Sequence, residues 1–160
     1  MTMRIMEPKD VRAIVVHCTA TPVGIPSVVE HVRRMHVVEN QWDAIGYHFI
    51  IDRAGVRHGC RPMMFRGAHA VTANAHSLGI ALEGGIDGEA KPVNNYTEEQ
   101  FKTLYTLIRE LRGKFPTILE TFGHCDLQRD AGFKSCPCFD VRAWLTKEDQ
   151  KWWSRQLRLA

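Results

Sequence analysis

Short apolar runs, each bounded by polar or turn residues, predict five β-strands. The run at residues 12–18 reads RAIVVHC, and its four consecutive apolar residues are typical of a strand that is buried on both faces. A polar turn at residues 52–55 joins the second and third apolar runs, which indicates a β-hairpin. The other four predicted strands cover residues 47–51, 56–60, 78–82 and 118–122.

The clearest helix is predicted at residues 97–114. Thr97 and Gln100 have the spacing of a capping box, and five apolar residues then form one stripe: Phe101, Leu104, Ile108, Leu111 and Phe115. Further helices are predicted at residues 27–40, 140–145 and 147–159, and Thr146 is the candidate cap of the last one. Strands mixed with helices predict an α/β fold, a single domain with a central mixed β-sheet flanked by helices. We expect a core at about residues 11–145, with a C-terminal helix at residues 146–160.

The composition is typical of an ordinary soluble globular domain and excludes some classes of function. The 160 residues suit one domain, and a net charge of +3 is too small to indicate nucleic acid as the main partner. Five cysteines, an odd number, argue against a disulfide framework. The N-terminal sequence MTMRIMEPKD lacks the apolar block of a secretory signal, and no apolar run approaches the ~18 residues of a membrane span. We therefore expect synthesis in the cytoplasm without a signal peptide.

Three residues at strand ends or in loops could hold a metal ion. His17 ends the first predicted strand, His124 follows the last one, and Cys136 lies in the loop sequence KSCPCFD. Two histidines and one cysteine are a plausible zinc set that leaves a fourth tetrahedral position for water. The three residues are far apart in sequence, so a packed, non-ligating His17 is an equally good interpretation of the residues alone.

Four motifs, in order along nearly the whole chain, resemble a known family. They are VHCTAT at 16–21, GYHFII at 46–51, NAHSLGIALEGGID at 74–87 and KSCPCFD at 134–140. The chain is similar to the zinc-dependent N-acetylmuramoyl-L-alanine amidases of the phage lysozyme (endolysin) type, which are related to the peptidoglycan recognition proteins. The family fold, a mixed sheet flanked by helices, agrees with the predicted elements.

The resemblance implies roles for seven residues. It makes His17, His124 and Cys136 the ligands of one Zn²⁺ ion per chain, and Tyr47 and Lys134 the catalytic residues. His69 corresponds to a histidine near the cleft, with a role beside a ligand or on the substrate, and Asn74 to a polar residue of the substrate groove. The other five histidines, among them His36 and His48, we interpret as structural or surface residues.

Additional thiols leave the choice of the cysteine ligand open. Cys138 and Cys125 lie beside the implied ligands Cys136 and His124. We prefer Cys136 because it matches the family position and precedes Pro137. Cys18 follows a ligand on a strand, so we expect its side chain to point to the opposite face and to act as a small apolar residue.

The implied substrate is the amide between N-acetylmuramic acid and L-alanine in peptidoglycan, cleaved by zinc-activated water. Tyr47 is expected to act as a general base or as a hydrogen-bond donor, and Lys134 to stabilise the oxyanion. We expect such an enzyme to be a monomer that reaches the cell wall, in the periplasm, after release through a membrane hole. Some relatives also bind the phage RNA polymerase, which the N-terminal sequence neither favours nor excludes. Neither nucleic acid nor stable membrane insertion is required.

Three alternatives stay open: a recycling amidase of the same superfamily, a recognition module of a different class, and a structural zinc site. A cytoplasmic enzyme that recycles anhydro-muropeptides usually has aspartate as the third ligand, whereas this chain has Cys136. A recognition module that binds peptidoglycan without cleaving it usually lacks the ligand cysteine. A structural zinc site would need a fourth protein ligand, which Cys138 or Cys125 could supply.

The C-terminal segment allows two interpretations. Trp152, Trp153 and Leu157 give the predicted helix an apolar side, and Arg155 and Arg158 lie near its end. We expect this helix to pack its tryptophans on the domain. The alternative is a basic amphipathic helix that lies on anionic envelope lipids.

Overall fold

The architecture is a five-stranded mixed sheet with helices on both faces, as predicted. A computed structural model describes residues 3–127 and 135–159. In chain order the elements are β1 (Ala13–Cys18), α1 (Val28–Arg33), β2 (Phe49–Ile51), β3 (Arg57–Gly59), β4 (Ser77–Leu82), α2 (Glu98–Lys114), β5 (Glu120–Gly123) and α3 (Val141–Leu159). Short 3₁₀ turns at Pro8–Asp10 and His124–Asp126 and a π-helical turn at Arg34–Glu39 complete them.

The order of the strands places β4 at the centre of the sheet and β1 between β4 and the edge strand β5. The order is β3-β2-β4-β1-β5, and β1 runs parallel to both β4 and β5. β2 is parallel to β4, and it forms the predicted antiparallel hairpin with β3. Since the carboxyl ends of parallel strands lie at the same edge, the residues that follow β1 and β5 are brought together.

One face of the sheet is covered by α2 and by the first turns of α3. Alternate residues of the parallel strands point to this face and form the main core with the apolar stripe of α2. The buried members of this core include Ile14, Val16, Ile51, Leu78, Ile80, Leu82, Leu104, Leu107, Ile108, Leu111, Val141 and Leu145. α2 begins with the predicted capping box of Thr97 and Gln100.

The opposite face is made of smaller residues and is covered by α1. Val28 and Val32 of α1 pack on Ile50 and Ala81. A second small cluster joins Ala13 and Val15 to Phe122, and it includes Ala70 and Ala73 from the loop before β4. The small side chains of this face leave space that buried polar rings fill near the ends of the strands.

The helix predicted at residues 27–40 is confirmed in extent but changes type, and the break predicted in the C-terminal helix is wrong. The helix predicted at residues 27–40 starts as α1, capped by the Ser27 hydroxyl, and continues as the π-helical turn. The two helices predicted on either side of Thr146 are one continuous helix, α3. No glycine or proline interrupts α3, and the Thr146 hydroxyl donates to the Arg142 carbonyl, so Thr146 lies inside the helix instead of capping a new one.

In the part of the chain that the structure describes, no helix combines the length and the apolar character needed to cross a bilayer.

Candidate metal centre and active site

The three candidate metal ligands meet at the carboxyl edge of the sheet. His17 is the penultimate residue of β1, His124 directly follows β5, and Cys136 comes from the loop before α3. One ligand atom from each lies within 4.8 Å of the others, and all three residues are buried. Among the described residues this cluster includes neither Cys125 nor Cys138. The geometry supports Cys136 as the cysteine ligand.

His17 is held in one orientation by a second histidine. The His17 Nε2 atom lies 3.0 Å from Nδ1 of His69, at hydrogen-bond distance. The other ring nitrogen, Nδ1, lies 4.0 Å from Sγ of Cys136. If Nε2 carries the proton and donates to His69, the lone pair of Nδ1 faces the cluster. Such a partner behind a histidine is the usual way in which proteins orient an imidazole ligand.

His69 occupies a recess that two glycines make possible. A Cβ atom at Gly79 would lie 2.5 Å from the His69 ring, and one at Gly67 would lie 2.3 Å from it. The Asn74 side-chain oxygen accepts from the backbone amides of His69 and Ala70, at 2.8 and 2.9 Å. Asn74 therefore fixes the loop that carries His69. Contact of His69 or Asn74 with the substrate stays a prediction.

The thiol of Cys18 takes part in the cluster of sulfur atoms, contrary to our expectation. The Cys18 backbone amide donates to Sγ of Cys136 at 3.2 Å, which brings the two thiols into each other's surroundings. Interaction between the two thiols lowers the pKa of Cys18 to about 7 and raises that of Cys136, because the first thiolate to form is stabilised by the remaining thiol and opposes a second negative charge. The strand ends at Cys18, where the loop with Cys136 crosses the sheet edge, so strand alternation does not separate the two residues.

The loop that carries Cys136 is held by contacts outside the cluster. The Tyr96 hydroxyl donates to the Pro137 carbonyl at 2.7 Å, and the Cys138 thiol donates to the Gly85 carbonyl at 3.3 Å. The Cys138 thiol therefore has a hydrogen-bond partner outside the cluster, the carbonyl of Gly85.

Burial keeps the imidazoles of this site neutral. The pKa values of His17 and His69 lie well below the ordinary value, chiefly because burial removes water from the charged form and also because neighbouring imidazoles repel a proton. A neutral imidazole has the free lone pair that a metal ion needs, so the site is prepared to bind a cation at neutral pH.

Tyr47 lies against the candidate ligands, as its predicted catalytic role requires. The ring centroids of Tyr47 and His17 are 5.2 Å apart. Burial raises the pKa of Tyr47 above its usual range, with a further contribution from the Cys136 and Cys18 thiols. Its hydroxyl therefore keeps its proton at physiological pH. Lys134, the other predicted catalytic residue, lies outside the described residues.

His36 contacts Tyr47 from the other side, which the sequence did not indicate. The π-helical turn brings the His36 ring to 5.4 Å from Tyr47 and 4.5 Å from Trp42. The Gly46 amide donates to His36 Nδ1 at 3.1 Å, and burial followed by the charge of Arg61 lowers the pKa of His36 to about 4. A regular helix would place His36 differently, so no local sequence signal predicts this contact.

His48, interpreted as structural, is fully buried and satisfied. Its Nδ1 atom accepts from the Gly79 amide at 3.0 Å, and its Nε2 atom lies 3.0 Å from the Phe65 carbonyl.

A family comparison agrees with this arrangement. The family described as N-acetylmuramoyl-L-alanine amidase (Amidase_2) matches residues 7–139, most of the chain and all of its β-strands. The chain belongs to this amidase family. It is thus an enzyme of the peptidoglycan hydrolase class, and the resemblance drawn from the four motifs is confirmed.

Relatives and solved structures match over most of their lengths. The endolysin of Enterobacteria phage K11 is 36% identical over 130 residues, 81% of this chain and 82% of that protein. The endolysin of Escherichia phage T7 is 36% identical over 137 residues, 86% and 87% of the two chains. Amidase LysC from Clostridium intestinale has 27% identity and a TM-score of 0.66, covering 86% of this chain and 81% of LysC. Bumblebee PGRP-SA shares the fold, with 21% identity and a TM-score of 0.69. The match covers 94% of this chain and 86% of PGRP-SA.

Proposed function

We propose that this chain is a phage-type endolysin that hydrolyses the amide between N-acetylmuramic acid and L-alanine, with one zinc ion held by His17, His124 and Cys136. The observation that carries the proposal is the buried cluster of two imidazoles and one thiol at the edge of an amidase-family sheet. Peptidoglycan is the proposed substrate, and the cell wall is the proposed place of action. Arrival there through a membrane hole made by another protein is part of the same proposal.

The chemistry of the three donors fits zinc. Two neutral nitrogens and one sulfur are typical ligands of a catalytic zinc site, which keeps a fourth position for a non-protein ligand. The amide of Cys18 donates to the sulfur of Cys136, and this hydrogen bond favours the thiolate form that a metal ligand needs. Zinc at such a site acts as a Lewis acid that activates water and polarises a carbonyl oxygen.

The protein's own residues supply orientation and hydrogen bonding. The raised pKa of Tyr47 keeps its hydroxyl protonated at physiological pH, so it can donate a hydrogen bond and no tyrosinate is present to act as a base. We therefore assign Tyr47 to donate to the oxygen on which negative charge develops. His69 fixes the ring of His17. Lys134 is proposed to stabilise the same developing charge, on the strength of the family resemblance alone.

The alternatives differ in the third ligand. A cysteine at this position favours the lytic branch over the recycling enzymes, in which aspartate is usual. The presence of all three donors argues against a pure recognition module. Since the described cluster has three members, it does not provide the four protein ligands of a structural zinc site.

Digestion of purified sacculi tests the reaction directly. The protein is incubated with sacculi, and the new ends are identified by mass spectrometry while bound zinc is measured by elemental analysis. We expect peptides that begin with a free L-alanine, glycan strands with intact lactyl groups, and about one zinc per chain. The Cys136→Ser variant is the matched control. New reducing sugars without free L-alanine, or binding without release of fragments, would contradict the proposal.

A further inference from the structure

The two halves of α3 have different surroundings. Val141 and Leu145 in the first half are buried in the main core. The last contacts with the domain are the hydrogen bond from the Tyr105 hydroxyl to Asp149, at 2.9 Å, and the stacking of Arg109 on Trp152, 3.9 Å from the ring centre. Every side chain from residue 153 to residue 158 is exposed.

Two large apolar side chains of this exposed half are mostly uncovered, although the ring of Trp153 contacts that of Trp152, with 4.8 Å between the ring centroids. Trp153 is 60% exposed and Leu157 is 78% exposed. They stand four residues apart, so they lie on one side of the helix, one turn above the other. The expectation that the helix packs its tryptophans on the domain is correct for Trp152 and wrong for Trp153. The reason is that α3 continues beyond the last residues through which it contacts α2.

A row of positive charges follows the neighbouring side of the same helix segment. Lys147, Lys151, Arg155 and Arg158 are spaced by four, four and three residues, which places them on one side. Lys151 pairs with Glu148 at 2.6 Å. The other three cations have no acidic partner among residues 3–127 and 135–158. Gln150 and Ser154 lie between the basic row and the apolar pair. This part of the helix is therefore basic on one side and apolar on the other, and we call it the exposed surface of α3. It consists of eight residues: Lys147, Gln150, Lys151, Trp153, Ser154, Arg155, Leu157 and Arg158.

We propose that the exposed surface of α3 binds the surface of an anionic phospholipid bilayer. Cations beside an apolar pair suit such a surface, because the charges meet lipid phosphates while tryptophan and leucine enter the boundary with the acyl chains. A soluble polyanion would use the four cations but would leave Trp153 and Leu157 in water. A second copy of this chain would oppose the same positive row with its own. The helix lies on the bilayer and does not cross it.

Co-sedimentation with vesicles tests the proposal without any use of amidase activity. The full chain is mixed with vesicles of phosphatidylglycerol and phosphatidylethanolamine, or of phosphatidylcholine alone, at about 0.1 M salt. We expect at least tenfold stronger binding to the anionic vesicles. Each cation near such a surface strengthens binding roughly fivefold, so the triple variant Lys147→Gln/Arg155→Gln/Arg158→Gln should bind on the order of a hundredfold more weakly. Trp153→Ser/Leu157→Ser should bind about tenfold more weakly.

Matched controls remove the same groups elsewhere. Arg34→Gln/Lys91→Gln/Lys102→Gln deletes three exposed cations, and Val56→Ser/Leu119→Ser deletes two exposed apolar side chains. Both controls should bind as the parent protein does. Circular dichroism confirms that each variant is folded. As a second measurement, brominated acyl chains in anionic vesicles should quench tryptophan emission in the parent protein, and clearly less so in Trp153→Phe.

Three results would overturn the proposal. Equal binding to both kinds of vesicle, or equal losses in the control variants, would remove the role of the exposed surface. Binding to soluble polyphosphate that matches vesicle binding, with no effect of Trp153→Ser/Leu157→Ser, would replace the bilayer by a soluble polyanion. Self-association that these substitutions abolish would assign the surface to a second copy of the chain.

Discussion

The two faces of the sheet pack against different kinds of residue. The face toward α2 consists of large aliphatic side chains, such as Ile80 and Leu82, in one continuous core. The other face carries the paired His17 and His69 rings, and Gly79 leaves space for the His69 ring. Because buried polar groups need partners, this second face is built from specific pairs, whereas the first face needs only apolar volume. The comparison predicts that substitutions on one face change stability and those on the other change metal binding and turnover.

The largest effect is expected at the proposed cysteine ligand. Cys136→Ser should lose the zinc and about a thousandfold of activity or more, because the ion supplies several kcal/mol of transition-state stabilisation. Zinc content and release of L-alanine ends measure the two losses. Cys138→Ser, whose thiol donates to the Gly85 carbonyl, is the control and should keep both. If Cys138→Ser loses zinc and activity while Cys136→Ser keeps both, the ligand is Cys138.

On the apolar face, Leu104→Ala should lower stability without changing the chemistry. Leu104 is fully buried in the main core, so we expect the free energy of unfolding to fall by about 2–5 kcal/mol. Urea unfolding measures this loss, and zinc content and activity per folded molecule should be unchanged. A variant that keeps its stability but loses zinc would show that the two faces are not independent.

Tyr47→Phe should separate turnover from metal binding. Loss of one donor to a developing negative charge typically costs about 10²–10³ in kcat. Zinc content should stay at one per chain because the ring contacts of Tyr47 are kept. Lys134→Ala is expected to behave in the same way. Loss of zinc together with activity would assign Tyr47 to holding the site instead of acting on the substrate.

His69→Ala should weaken the metal site by removing the partner of His17. Loss of a group that orients a ligand typically lowers metal affinity about 10–100-fold. Competition with a chelator measures the affinity, and His69→Gln, which retains an acceptor, should restore part of it. Unchanged zinc affinity in His69→Ala with a higher KM for sacculi would instead place His69 on the substrate.

The smallest expected effect is a pH dependence of the free energy of unfolding that arises from the buried His48. Burial lowers the pKa of His48 to about 4 in the folded protein, against about 6.5 in the unfolded chain. Between these values the unfolded chain binds more protons, so stability is complete above about pH 6.5 and falls as the pH falls. His48 should account for about 1–2 kcal/mol between pH 7 and pH 5.

Urea unfolding at pH 7, 6 and 5, with a chelator to exclude zinc release, measures this loss. His48→Gln should reduce the pH dependence, and the exposed His76→Gln serves as the control. An equal pH dependence in His48→Gln and the parent protein would contradict the assignment.

Much of the fold was predictable because its signals are local. The capping box of Thr97 and Gln100 and the apolar stripe of α2 depend only on neighbouring residues, and both were correct. The junction at Thr146 was misplaced because a threonine that bonds to the carbonyl four residues earlier looks, in sequence, like a helix cap. The motifs identified the residues of the proposed site, but they did not predict the distances between those residues.

The sequence by itself determined the elements, the family and the identity of the candidate ligands, because periodicity, caps and motifs are properties of short segments. Only the tertiary structure decided that His17, His124 and Cys136 meet, because 119 positions separate His17 from Cys136 and parallel strand pairing closes that distance. It also placed Cys18 beside Cys136, His36 against Tyr47 and Trp153 in solvent. Each of these depends on where a loop, a π-helical turn or a helix end lies relative to the rest of the chain, and no local pattern records that.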